Sequence, residues 1–306
     1  MSAVENETQF PGGAQRRVVI AGAGIAGLAA GLRLREEGWD VLVVERAATR
    51  RSSGYLVNLH GPGYDAAERL GLLPALTPCD IGFFRSILVH ADGREKFTIP
   101  AAFAQAAVGK RALTVFRGDL ESALYDRVAE TADIRFGTTV ATVAQQDDGL
   151  DITLGDGTRL RAELLVGADG VHSGIRELVF APESECLVSL GHMVGAFPLE
   201  QLPAHVPEGA GTTFIGPRRT AAVMNLGPGR SSTFFAYRCA EPEAALALGP
   251  ERAPPGPSAT SAEESPRPCG NSKPTRPPPI STRSARSCWT GGVAAGWFCS
   301  ATRHGA

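Results

Sequence analysis

The chain has 306 residues, of which 43% are hydrophobic and 20% charged, with a formal net charge of -2. That balance belongs to an ordinary globular protein with a sizeable core, and it leaves no electrostatic footprint for nucleic acid or an anionic membrane surface. No apolar run approaches the roughly 20 residues that a membrane span requires.

In chain order, the start MSAVENETQF is polar and slightly acidic, neither a signal peptide nor an arginine-rich transit segment, and residues 1–15 are expected to be disordered. Val18-Val19-Ile20-Ala21 is a short β-branched run, the pattern of a fully buried parallel strand. Small and apolar residues from Ile25 to Leu34 then recur at helical spacing, and Gly38 closes the helix. DVLVVER is a second buried strand, which completes a βαβ unit with a right-handed crossover. The alternating runs of RSILVHADGREKFTI around Asp92-Gly93 predict a β-hairpin. Helical texture returns at DLESALYDRVAE, and strands and turns alternate up to LLVGADG. HMVGAFPL, TAAVMNL and STFFAYRC predict an antiparallel sheet.

The expected fold class is therefore α/β: a Rossmann-like domain over residues 16–78 and 111–182, interleaved with a smaller β-rich domain over 79–110 and 183–248. Interleaving of this kind predicts a cleft between domains, a usual location for small-molecule chemistry. Residues 249–306 are dominated at first by Pro, Ser and Arg and are expected not to fold by themselves. The cysteines Cys79, Cys186, Cys239, Cys269, Cys288 and Cys299 contain no CxxC pair, so free thiols in a cytoplasmic protein are expected.

Gly22, Gly24 and Gly27 form G-x-G-x-x-G at the junction of the first strand and its helix. The first glycine permits the tight turn, the second lets a pyrophosphate approach the backbone, and the third lets helix and strand pack closely. The helix N-terminus offers N–H groups and a partial positive charge to the phosphates. Glu45, about twenty residues on at the end of the second strand, can accept hydrogen bonds from a ribose diol. These features predict a dinucleotide site. His60 and His172 are expected to make structural hydrogen bonds rather than carry acid–base chemistry.

From about Arg17 to Cys239 the sequence resembles the FAD-dependent aromatic hydroxylases, single-component flavoprotein monooxygenases that include tetracycline-inactivating enzymes. The resemblance rests on VVERAATRRSSGYLVNLHGPGYDAAERLGLL, FRGDLESAL and LLVGADGVHSGIRELV. It implies that Arg46 contacts the adenosine side of FAD, that Arg117 reaches the FAD, and that Asn58 lies near the isoalloxazine ring. It further implies that Asp169-Gly170, with Arg176 trailing, contacts both FAD and NAD(P)H. In this family NAD(P)H reduces FAD, and O2 then supplies an oxygen atom to an electron-rich carbon of a small aromatic or polyketide-type substrate. The implied partners are that substrate and O2, with no nucleic acid and no membrane. A reductase or halogenase of the same superfamily, or an inactive remnant that binds nucleotide at most, are the alternatives.

The family also carries a second fingerprint, GRVxLxGDAA(H/W), which this sequence lacks: its Gly-Asp pairs are Gly118-Asp119 and Gly155-Asp156, both too early. Codon overlaps across Trp297, Phe298 and Cys299 to Gly305 allow a shifted frame to spell VLLGDAAW, with the Val and the first Leu forced. A frameshift between about residues 241 and 280 is the expectation, against a genuine disordered tail. Resequencing the interval separates the two. With the fingerprint missing, weak FAD binding and an impaired enzyme are expected.

Overall fold

The computed structural model describes residues 16–50, 55–90, 93–199, 202, 206–227, 229–240 and 242. The readings of residues 1–15 and 249–306 lie outside the described residues. In chain order the elements begin with β1 (Arg17–Ala21), α1 (Ile25–Glu36), β2 (Asp40–Glu45), β3 (Leu56–His60), α2 (Pro62–Arg69) and α3 (Leu73–Leu76). They continue with β4 (Arg85–His90), β5 (Glu95–Ile99), α4 (Ala101–Val108), β6 (Ala112–Phe116), α5 (Arg117–Ala129) and β7 (Asp133–Phe136). Then come β8 (Val140–Gln146), β9 (Gly149–Leu154), β10 (Arg159–Ala162), β11 (Leu164–Gly167), α6 (Gly174–Val179) and α7 (Glu183–Cys186). The last are β12 (His192–Pro198), β13 (Ala210–Gly216), β14 (Arg219–Asn225) and β15 (Ser231–Arg238).

The described residues within 1–52, 59–80 and 117–188 form one unit, and those within 53–58, 81–116 and 189–306 the other. Strand β6 and residues 55–58 lie in the second unit, and β3 and β6 pair with each other. Residues 183–188 lie in the first unit.

The first unit is built on a parallel sheet in the order β11-β1-β2-β7. Its central strands carry unbroken apolar runs because both faces are covered. One face of β1 and β2, with Val19, Ala21, Leu42 and Val44, packs on Ile152 and Leu154 of the antiparallel sheet β10-β9-β8. The other face, through Ile20, Val41 and Val43, meets α1 at Gly31. Val18, Val19, Ile20 and Val43 are fully buried, and each such side chain contributes about 1.5–3 kcal/mol. From β1 the chain crosses to β2 on one side and later returns as β11 on the other. The carboxyl end of β1 is therefore a topological switch point, where open α/β sheets bind ligands.

The second unit carries a six-stranded sheet in the order β12-β15-β14-β13-β4-β5, antiparallel except where β13 lies parallel to β4. The predicted hairpin is present as β4 and β5, although Asp92 lies outside the described residues. Gly195 on β12 stands opposite Phe235, whose ring would lie 2.3 Å from a Cβ at that position. The missing side chain makes room for an aromatic row in which Phe235 meets Phe197 edge-on at 6.0 Å and Tyr237 in a stack at 6.3 Å. Among the described residues no helix is long and apolar enough to cross a membrane.

Candidate cofactor site

The site begins where β1 runs out. Gly22 has φ +107°, its N–H donates to the Val44 carbonyl at 2.7 Å, and a Cβ there would lie 2.4 Å from the Ala168 carbonyl oxygen. A side chain is thus barred twice, by the backbone angle and by the end of β11. Gly27, in the first turn of α1, is closed off in the same way: its Cβ would lie 1.9 Å from the Gly22 carbonyl oxygen. Gly24 differs. Its backbone is extended, and among the described residues the position of a Cβ has one neighbour within range, Arg117 Nη2 at 4.0 Å.

Gly24 caps α1 without a side-chain hydrogen bond, and the first turn of α1 contains no acidic residue. The N–H groups of Ile25, Ala26 and Gly27 have no carbonyl of their own helix to reach, and the positive end of the helix dipole is left unneutralised by the helix itself. Arg33 and Arg35 occupy the last turn, where cations suit the opposite pole.

Glu45 ends β2 with its carboxylate against this loop. Its Oε2 accepts from the Ala23 N–H at 3.0 Å and its Oε1 from the Ala47 N–H at 2.8 Å. Each carboxylate oxygen keeps acceptor capacity beyond one bond, so hydroxyl donors can be added without breaking either contact. Arg46 is exposed. Arg117 is the first residue of α5, and its Nη1 is paired with Glu121 Oε2 one turn later.

Asp169 follows β11 and organises the turn after it. Oδ1 accepts from Ser173 Oγ at 2.5 Å and Oδ2 from the Ile175 N–H at 3.1 Å, while Ser173 Oγ accepts from the Arg176 N–H as the N-cap of α6. Gly170 has φ +89°, with open space where a side chain would stand. Arg176 Nη2 donates to the Val171 carbonyl at 2.8 Å. Asn58 is exposed in the second unit, where its Oδ1 accepts from Thr114 Oγ1 at 3.0 Å. His172 Nδ1 lies 3.1 Å from the Glu183 carboxylate, and His60 is exposed.

The structure therefore brings Gly22, Gly24, Gly27, Glu45, Arg117 and the Ala168–Gly170 turn together at the carboxyl ends of β1, β2 and β11. Asn58 belongs to the second unit, and Arg46 follows Glu45 directly after β2. The sequence reading had no place for Ser173 or Glu121. Both stand at a spacing that signals a partner, three residues before Arg176 and four after Arg117. Among the described residues no cluster of His, Cys, Asp or Glu could hold a metal ion.

A tight glycine turn at a switch point, a helix N-terminus free of acid, and a carboxylate at the end of the second strand define a dinucleotide-binding α/β protein. A family model described as an FAD binding domain matches residues 15–247, and the chain belongs to that family. FAD is accordingly its cofactor. The FAD-dependent monooxygenase asL4 of Sarocladium schorii is 33% identical over 172 residues, which make up 55% of this chain and 40% of that protein. The 3-amino-4-hydroxybenzoate 2-monooxygenase of Streptomyces cremeus is 29% identical over 238 residues, 77% of this chain and 59% of that one. The chain thus spans about half the length of the curated relatives it matches. Among solved structures, tetracycline destructase Tet(51) superposes with a TM-score of 0.63 at 24% identity, over 76% of this chain and 62% of that one. That likeness is one of fold.

Proposed function

We propose that this chain carries the cofactor half of an FAD-dependent, NAD(P)H-consuming monooxygenase that hydroxylates an aromatic or polyketide-type small molecule. The observation that carries the reading is the open face of Gly24, flanked by Arg117 and the N-terminus of α1. A pyrophosphate fits there and a side chain would fill it. In the proposal Glu45 accepts from the adenosine ribose and Arg46 serves the adenosine side. The Asp169-Gly170 turn supports the loop from below, and Asn58 stands toward the ring. Bound FAD would supply the redox chemistry, with overall balance substrate–H + O2 + NAD(P)H + H+ giving substrate–OH + H2O + NAD(P)+. The protein has to hold substrate and exclude water, tasks that need no nucleophile. The names of the relatives support the reaction class and an aromatic substrate.

A second reading, a chain that binds the dinucleotide without turnover, rests on the glycine turn and Glu45, which serve binding and no redox step by themselves. One experiment separates the two. Purified protein is titrated with FAD by flavin fluorescence, then assayed for NAD(P)H oxidation and for 18O incorporation from 18O2 with aromatic acceptors. Binding followed by incorporation supports the oxygenase, binding without NAD(P)H oxidation supports the second reading, and absence of FAD binding defeats both.

A further inference from the structure

Glu121 is the sole charged residue in the buried set among the described residues, 8% exposed on a helix face shared with Leu120, Ala123, Leu124 and Val128. A carboxylate removed from water is costly unless it is paired and hydrogen-bonded. Its partner is Arg117, one turn earlier on α5, through Glu121 Oε2 and Arg117 Nη1. The other terminal nitrogen of that guanidinium, Nη2, is the group that stands 4.0 Å from the Cβ position of Gly24. A guanidinium is planar and rigid, so fixing one nitrogen sets the direction of the other. The arrangement is a bracket: a buried carboxylate holds the arginine, and the arginine overhangs the one open glycine of the loop.

We propose that Glu121 is a positioning residue that pre-orients Arg117 toward the pyrophosphate of the dinucleotide; this rests on the FAD reading above. Glu121 itself touches no ligand. Without it, Arg117 loses its buried anchor on α5, and binding has to supply the lost order. The alternative is a helix-stabilising i,i+4 pair with no bearing on the ligand.

The probes are ADP, which contains the pyrophosphate, and adenosine, which has the same base and ribose without it. Both are titrated against the full chain by thermal shift and intrinsic fluorescence, for wild type, Glu121→Gln, Glu121→Leu, Arg117→Gln and the double variant Arg117→Gln/Glu121→Leu. Glu121→Gln keeps an acceptor oxygen for Nη1 and is expected to hold ADP within about threefold of wild type. Glu121→Leu is expected to weaken ADP about tenfold, leave adenosine unchanged, and add nothing once Arg117 is already Gln. Should Glu121→Leu fail to fold, Glu121→Asp, too short to reach Nη1, is expected to show the same selective loss. Equal weakening of ADP and adenosine would overturn the proposal, as would ADP affinity that depends on Arg117 but not on Glu121. Wild-type protein that binds neither probe sinks the FAD reading itself, whatever the variants do.

Discussion

Two glycines of α1 face the same sheet, and the same substitution should have opposite signs at them. At Gly31 an added methyl would meet Ile20 Cδ1, Val41 Cγ1 and Val43 Cγ2 at 3.5–3.6 Å, ordinary packing distances. Gly31→Ala therefore keeps its contacts and gains helix propensity, about 0.5–1 kcal/mol. At Gly27 the methyl would lie 1.9 Å from the Gly22 carbonyl oxygen, a backbone atom that no rotamer change can remove. Helix α1 must retreat from the sheet by about 1 Å, and overpacking of this kind costs about 1–3 kcal/mol beyond any propensity gained. The retreat also loosens Leu28, which is fully buried on that face. The two variants should differ by about 1.5–4 kcal/mol, and their melting temperatures by several degrees at about 2–4 °C per kcal/mol for a chain of this size. Urea unfolding followed by circular dichroism measures the difference as a shift in midpoint at constant slope, and an FAD titration should fail for Gly27→Ala alone. Gly27→Ala protein as stable as Gly31→Ala would refute the claim that helix and glycine turn are in backbone contact.

Gly24→Ala should fold with a melting temperature unchanged to within a degree or two of wild type, since its extended backbone suits any residue and the Cβ has 4.0 Å to its nearest neighbour. It should nevertheless lose FAD and ADP affinity by at least about tenfold, measured by fluorescence titration, because the methyl occupies the approach of the pyrophosphate. Arg218→Gly should raise stability by about 1 kcal/mol in thermal denaturation, because Arg218 is the non-glycine residue held at positive φ (+58°) in the β13–β14 turn. The carbonyl that Arg218 offers to the Arg238 N–H survives that change, so a neutral or destabilising result would show that the arginine side chain has a role in the turn.

The β1–α1–β2 unit was legible because burial on both faces leaves its strands no polar residue to alternate with, and Gly22 and Gly38 punctuate its helix. The partition between units was harder to read. Strands β3 and β6 are five residues each and pair across a long stretch of chain, so nothing local in either announces the other. The glycine fingerprint was legible as a pattern, and Glu45 was legible by its offset. What makes the site rigid was not. The carbonyl of Ala168 closing on Gly22 is a contact between segments far apart in sequence, and an alanine carbonyl carries no signature. Asp169 has a ligand role from resemblance, and its further hold on Ser173 and Ile175 had no signal in the sequence. Glu121 reads in sequence as one more charge on an amphipathic helix, and only its burial distinguishes it.

The three glycines of one fingerprint are thus held to glycine by three different neighbours. Gly22 yields to the end of β11, Gly27 to the carbonyl of Gly22, and Gly24 to no close neighbour among the described residues. A residue that the fold leaves free to carry a side chain, inside a turn where its neighbours cannot, is the point at which something outside the protein sets the requirement. The loop around it is tied to three strands at once: Gly22 N–H to Val44 on β2, Ala23 N–H to Glu45 at the end of β2, and Gly22 itself against Ala168 after β11, all at the end of β1. Such a loop has little freedom to adjust to a ligand, so its N–H groups are aimed before the ligand arrives. Binding then costs less ordering than a mobile glycine loop would demand, and the pairing of Arg117 with Glu121 extends that order to the side chain beside Gly24.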